Sequence, residues 1–383
     1  MNNAVIVSVK RTAIGKMGGA LAHLRPEQLV SPLVQSIISE TNLDPVMIHD
    51  VVLGNVVGPG GNIARLSALQ AGLPISVPGV TVDRQCGSGL EAINLASRLV
   101  QAGAGDMYIA GGVESTSRAP WKVEKPFSLF DPNGPTFYGR ARFSPEEIGD
   151  PEMGEAAENV ASAYNVSRED QDAYAYQSHQ KALNAQQENV FKSEIVPVDG
   201  VDMDECPRPN TSLSKLARLP SVFRENGTVT AGNACPLNDG AAVVLIMSEE
   251  KCKSLGLTPL AKFIDATSAG VDPNYLGIGP VPAVRKLLEQ QDCGVETIDV
   301  VEFNEAFASQ ALASLRELHI PLHKVNLSGG ALALGHPYGA SGAILITRLV
   351  TEMKRRHLHT GLATLGIGGG LGLATMLENV EEE

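Results

Sequence analysis

Hydrophobic and polar positions along this chain follow two rhythms that take turns. Short apolar runs rich in β-branched residues occur at AVIVSV (4–9), DVVLGNVV (50–57), DMYIAGG (106–112), AAVVLIM (241–247) and DVVEFN (299–304), and they read as strands. Between them apolar residues recur at helical spacing; Leu90, Ile93, Ala96 and Val100, for example, fall along one face of a helix. Strands alternating with helices predict an α/β fold. The rhythm breaks between about Arg118 and Asn238. There a Pro- and aromatic-bearing stretch, APWKVEKPFSLFDPNGPTFYGRARF, leads into a polar helix predicted from Arg168 to about Glu188. We read this part as an inserted loop domain. From Thr258 the α/β rhythm resumes, and the chain closes with two strands, LATLG and GLATMLE, joined by a glycine run. Two segments look alike, CGSGLEAINLASRLV (86–100) and YGASGAILITRLV (338–350), each a small-residue turn before an apolar helix. This short likeness points to two lobes of similar build. The expected organisation is an N-terminal lobe from residues 1–117 with 238–259, an inserted loop domain at 118–237, and a C-terminal lobe at 260–383.

Composition narrows the class. With 43% hydrophobic residues in 383, the chain can bury one large core or several smaller ones. Acidic residues outnumber basic ones 43 to 30, and the net charge of −13 argues against a nucleic-acid-binding surface over the whole molecule. The start, MNNAVIVSVKRTAIGK, has no basic segment followed by an apolar one, and no run approaches the ~18 apolar residues of a membrane span. A cytoplasmic protein without membrane attachment is the expectation. Five cysteines, Cys86, Cys206, Cys235, Cys252 and Cys293, are odd in number and widely spaced, so neither a disulfide framework nor a metal site is predicted.

Chemistry enters at three glycine-bracketed turns. Cys86 lies between a strand and the apolar helix, where free N–H groups and the helix dipole are expected to lower a thiol pKa from its usual ~8.5. Gly87 and Gly89 are expected to keep the approach to sulfur open. A free cysteine that is only a small buried hydrophobe would look similar. His336, in SGGALALGHPYGASGAILI, sits in a turn stiffened by Pro337, and a neutral imidazole there can take the proton of a thiol; a structural histidine is the alternative. Asn304 and Glu305 follow a strand, where an amide can orient a ring or hold a water, or simply cap a helix. The run Gly368, Gly369, Gly370 can direct backbone N–H groups at a developing oxyanion, or merely form a hairpin turn.

Together, and in this order, these segments resemble the thiolase family of acyl-CoA acetyltransferases over essentially the whole chain. The matching stretches include VIVSVKRTAIGKMGG, CGSGLEAI, AGGVESTSRAP, SREDQDAYAYQSHQKA, GTVTAGNACPLNDGAA, NEAFASQ and GGALALGHPYGASGA. The resemblance implies the thiolase fold, two similar βαβαβαββ lobes forming a five-layered αβαβα core with an inserted loop domain. It implies acyl-CoA chemistry of fatty-acid metabolism, coenzyme A as substrate rather than resident cofactor, no metal, and a homodimer or homotetramer. Carried over residue by residue, Cys86 is the acylated nucleophile and His336 its activator. Asn304 serves one oxyanion hole, and the backbone N–H groups of Cys86 and Gly368 form the other. Arg208, Ala231, Cys235 and Phe307 are implied as contacts for coenzyme A, with Cys235 in place of the family's serine and Leu276 in place of its methionine.

One position departs from the pattern in a way that matters. The family has a cysteine where GIGGGLGLA begins, and that cysteine removes or returns the Cα proton of the second acyl-CoA; here the residue is Gly366. General acid–base groups contribute about 10²–10⁴-fold, so acylation of Cys86 is expected to survive this change better than carbon–carbon chemistry. Tyr338, with a phenol pKa near ~10 that would need lowering, a water, or His336 acting twice are the conceivable replacements. Three readings follow: condensation or thiolytic cleavage through acyl-Cys86; acyl transfer or decarboxylative condensation without Cα proton abstraction; and a turnover-deficient acyl-CoA-binding protein.

Overall fold

A computed structural model describes residues 2–128 and 130–380. Its principal strands are β1 (Ala4–Arg11), β2 (Asp50–Gly54), β3 (Gly79–Val82), β4 (Met107–Ser115), β5 (Asn238–Ser248), β6 (Ala261–Gly270), β7 (Val300–Phe303), β8 (Thr360–Ile367) and β9 (Leu371–Asn379). The principal helices are α1 (Pro26–Thr41), α2 (Ile63–Gln70), α3 (Ser88–Gln101), α4 (Met153–Ala163), α5 (Arg168–Gln187), α6 (Pro280–Gln290), α7 (Ala308–Glu317) and α8 (Tyr338–Arg356).

Successive side chains of a strand point to opposite faces, and here both faces are apolar. Ala4 and Ile6 of β1 enter one core while Val5 and Val7 enter another, and β5 divides Ala242, Val244 and Ile246 from Val243, Leu245 and Met247 in the same way. Such strands need covering on both sides. In the N-terminal half the strand order is β3-β2-β4-β5-β1; in the C-terminal half it is β7-β8-β9-β6. Each half carries a parallel pair (β2–β4, β7–β8) and then antiparallel partners, and Val325 bridges Val301 in parallel beside β7, where the first half has β3. The equivalent strands β1 and β6 pair antiparallel through Val5–Lys262 and Ile6–Ala261, which joins the halves edge to edge.

Three apolar clusters then define five layers. The largest lies between the inner sheet faces and contains the buried sides of α3 and α8. A second covers the outer N-terminal face under α1 and α2, and a third the outer C-terminal face under α6 and α7. The two look-alike segments are therefore the two central helices, and Leu90, Ile93, Ala96 and Val100 all lie in the central cluster. This is the αβαβα arrangement the sequence leads one to expect.

Two local differences have physical causes. The run 50–57 ends as a strand at Gly54 because the next residues bind Glu114: Asn55 Nδ2 donates to its carboxylate at 3.0 Å, and the Val56 and Val57 N–H groups do so at 3.1 and 3.2 Å. Helix α5, polar by sequence, buries a polar face. Ser178 donates to Glu305 at 2.7 Å, and Asp172 accepts from Asn233 at 2.9 Å. No helix among the described residues is long and apolar enough to cross a membrane.

Deep in the molecule a charged network ties the halves and the intervening segment together. Arg11 on β1 pairs with Asp204 and Glu194, and Glu194 also pairs with Arg348 on α8, each at 2.7 Å with fully buried side chains. Burial works against the charge on Arg11, but the two carboxylates more than offset it and hold the guanidinium firmly protonated.

Candidate active site

The site exists because two helices begin side by side. A Cβ on Gly89 of α3 would lie 2.6 Å from the Gly339 carbonyl oxygen of α8, and one on Gly342 would lie 2.5 Å from Leu90 Cβ. Only hydrogen fits at these positions, so the helix backbones touch. The glycines near Cys86 thus serve packing rather than access to sulfur: Gly89 meets α8, and Gly87 lies against Ile367 and Leu373. The crossing brings Cys86, two residues before α3, and His336, two residues before α8, to one cavity of about 410 Å³. Its wall also includes Cys235, Phe307, Gly366 and Gly368.

Each turn is locally fixed. Gln85 adopts φ +46°, left-handed backbone that non-glycine residues seldom take. Its N–H donates to Asp83 at 2.8 Å, and its carbonyl accepts from Ser88 Oγ at 2.6 Å. On the other side the His336 N–H donates to Asn238 Oδ1 at 2.9 Å. The ring Nδ1 lies 2.6 Å from Ser341 Oγ, whose hydroxyl donates to the Pro337 carbonyl at 3.2 Å. Ser341 therefore accepts from Nδ1–H, and Nε2 is left as the basic nitrogen, with Asn304 Nδ2 at 3.4 Å from it. The β8–β9 turn is made by Gly369 and Gly370, at φ +86° and +80°.

Electrostatics correct one expectation. The helix start does not leave Cys86 acidic: burial pushes the thiol up to about 11, outweighing the Gly368 N–H directed at its sulfur and its own backbone N–H, and the charges of Glu114 and Asp83 push it further. Burial also pulls His336 down to about 4. Thiol and imidazole are both neutral at rest, so for sulfur to act as a nucleophile its proton would have to leave as it attacks, and Nε2 is the basic nitrogen on the same wall. Tyr338 stands edge-on to His336, ring centroids 5.2 Å apart, and its phenol is pushed up rather than lowered by burial and by the neighbouring thiols. It is unsuited to serve as a base. Glu114, raised to about 7 by burial, accepts the Gly339 N–H at 3.0 Å and so pins the start of α8.

The residues singled out from the sequence separate into two groups. Cys86, His336, Gly368, Cys235, Phe307 and Leu276 border the cavity. Asn304 is buried and meets the site through His336 Nε2, while Glu305 is a clamp that accepts from Asn326 at 2.6 Å and from Ser178. Arg208 and Ala231 are exposed and outside the wall; the Arg208 N–H donates to His179 Nδ1 at 3.2 Å. Gly366 is on the wall as well. A Cβ there would meet Gln310 Nε2 at 3.2 Å and the Leu276 and Gly277 carbonyl oxygens at 3.3 and 3.4 Å. Asn238, Ser341, Glu114 and Gln310 escaped the sequence reading, although all four stand inside the matching stretches GTVTAGNACPLNDGAA, GGALALGHPYGASGA, AGGVESTSRAP and NEAFASQ.

Comparison with known proteins agrees with this architecture. The family model described as thiolase, N-terminal domain, matches residues 4–250, and the thiolase, C-terminal domain, matches residues 257–379. The chain is 50% identical over 382 residues to a Staphylococcus epidermidis protein named "Putative acetyl-CoA C-acetyltransferase VraB", with 99% of each chain covered. Its namesake in Staphylococcus haemolyticus is 51% identical over 384 residues, again covering 99% of both. Among solved structures, the Bacillus anthracis acetyl-CoA acetyltransferase superposes with a TM-score of 0.94 at 40% identity, over 99% of both chains. With both family models matched in order across nearly its whole length, this chain is an acyltransferase that belongs to the thiolase family.

Proposed function

We propose that the protein moves acyl groups between coenzyme A thioesters through a thioester on Cys86, joining two acyl-CoA molecules or cleaving a 3-ketoacyl-CoA with CoA. The observation that carries this reading is the shared cavity of Cys86 and His336, with the Gly368 N–H aimed at the sulfur and Nε2 left basic by Ser341. His336 takes the thiol proton as sulfur attacks the thioester carbonyl, then gives it to the departing CoA thiolate. The N–H groups of Gly368 and Cys86 stabilise the oxyanion, each such donor being worth about 3–4 kcal/mol. Asn304 holds His336 from the amide side. Apolar walls from Phe307, Phe223 and Leu276 suit the arm of an acyl-CoA. Exposed aromatic side chains at Trp121, Phe127, Phe130 and Phe137 support assembly of the chain into a homodimer or homotetramer.

Intact-mass measurement after mixing with acetyl-CoA tests the core of this proposal. An acetyl adduct is expected on the native protein and not on Cys86→Ala; no adduct on the native protein would leave a binding protein without turnover. Gly366 favours a second reading, acyl transfer without removal of a Cα proton. Thiolysis of acetoacetyl-CoA separates the two, because a protein confined to acyl transfer leaves that substrate intact.

A further inference from the structure

If Cys86 carries the acyl group, carbon–carbon chemistry still needs a group that exchanges a proton with Cα, and Gly366 has none. Among the described residues, the titratable side chains on the cavity wall are Cys86, Cys235, His336, Tyr338 and Glu152. Cys86 is occupied by the acyl group, and Tyr338 is a neutral phenol packed on the imidazole. Glu152 is at the mouth, its side chain 70% exposed and paired with Arg140. Gln310, the polar side chain nearest to a Cβ at Gly366, is an amide and carries no exchangeable charge.

Cys235 and His336 are left; in the acyl-Cys86 reading His336 is engaged with the Cys86 proton, whereas Cys235 has no other task, and the backbone holds it firmly in place. Its N–H donates to the Ala306 carbonyl at 2.9 Å, Ala234 pairs with Phe307, and Leu237 pairs with His336. Residue 235 thus lies between the loop that carries Asn304 and the turn that carries His336. It borders the same 306–310 turn that a side chain at 366 would touch from the β8 side through Gln310. The Cys86 sulfur is near enough to perturb it, and both thiols act on Tyr338.

We propose that Cys235 is the Cα proton carrier of this enzyme, a catalytic thiol displaced across the cavity from position 366. The proposal rests on the acyl-Cys86 reading above. In the cleavage direction His336 takes the Cys86 proton, and the thiolate adds to the 3-keto carbonyl. As the tetrahedral adduct collapses and the Cα–C bond breaks, the Cys235 S–H gives its proton to Cα, releasing acetyl-CoA and leaving the shortened acyl group on Cys86. The imidazolium then returns its proton to the Cys235 thiolate. CoA enters as a thiol, loses its proton to His336, and displaces the acyl group; the proton goes back to Cys86. Condensation runs the same steps in reverse, with His336 first taking the Cys235 proton so that the thiolate can remove one from Cα. Burial keeps the resting Cys235 protonated, the form that cleavage requires.

The test follows deuterium incorporation at Cα of acetyl-CoA in D2O, with the acetyl adduct on Cys86 scored in parallel. The native enzyme is expected to exchange, and Cys235→Ser, close in volume but without an acidic thiol, to exchange at least 100-fold more slowly. Adding Gly366→Cys to Cys235→Ser is expected to restore exchange, which a role in packing or in holding coenzyme A does not predict. If Cys235→Ser exchanges as fast as the native protein, changing only KM, the proposal is overturned. It is equally overturned if the native enzyme acetylates Cys86 yet exchanges no Cα hydrogen. Absence of the adduct itself would instead remove the reading on which the proposal rests.

Discussion

Placing one methyl group where α3 and α8 cross should disable the site without touching any reactive atom. In Gly342→Ala the new Cβ would start 2.5 Å from Leu90 Cβ and 2.8 Å from Leu90 Cα, with the Leu90 amide nitrogen closer still. Carbon atoms rest about 3.5–4 Å apart, so the helices must separate by roughly 1 Å. Trimming Leu90 cannot relieve this, because two of the three opposing atoms are backbone. Overpacking of a filled core typically costs about 1–3 kcal/mol. The functional cost is larger in proportion: a misplacement of about 1 Å between reacting groups can lower a rate ~10²-fold. Thermal melting and quenched-flow acetylation of Cys86 measure the two separately, and a fall of a few degrees in Tm with about 100-fold slower acetylation is expected. Gly139→Ala is the control, since a Cβ there meets nothing within 4 Å. A Gly342→Ala protein that acetylates Cys86 at the native rate would show that close helix contact does not set the geometry of the pair.

Three other expectations can be checked directly. Ser341→Ala removes the acceptor that fixes Nδ1–H; a hydrogen bond to a group that becomes charged is worth about 1.5–3 kcal/mol, so acetylation should slow about 10- to 100-fold with little change in Tm, and an unchanged rate would refute the tautomer argument. The inactive form of His336 is its cation, which burial disfavours down to about pH 4; the acetylation rate should therefore hold through pH 6 and fall only well below it, whereas an acid limb centred near 6.5 would indicate an ordinary, solvated imidazole. Glu194→Gln leaves buried Arg11 and Arg348 each short of a carboxylate partner, and loss of one member of such a network typically costs about 3–5 kcal/mol; a urea melt showing less than about 1 kcal/mol would mean that the network relaxes around the change.

The fold was legible because strand and helix rhythms are clean wherever an element is buried on one or both faces. Leu90, Ile93, Ala96 and Val100 announce α3 by spacing alone, and the glycine-bracketed turns announce Cys86 and His336. What the sequence hid is what depends on burial and on distant partners. A helix start should acidify a thiol, but only the structure reveals that the partly buried Cys86 is desolvated enough to outweigh that effect. Asn238 and Glu114 hold the His336 turn and the start of α8 from 98 and 225 residues away, a relation no local pattern encodes. Gly87 and Gly89 were visible as glycines, yet their reason, contact with other elements, was not. Arg208 and Ala231, assigned by resemblance, lie exposed outside the cavity wall.

The position of β5 has a consequence for how the polypeptide is made. It hydrogen-bonds between β1 and β4, yet it follows β4 in the chain only after the whole stretch from Thr116 to Leu237. At about 5–20 residues per second, a ribosome needs on the order of ten seconds to travel from the end of β4 to the end of β5. Throughout that interval β1 and β4 present open, strongly apolar edges, the kind of surface on which nascent chains aggregate. The length of the intervening segment therefore acts as a clock on folding. Premature termination anywhere inside it strands a half-sheet that nothing later in the chain can close.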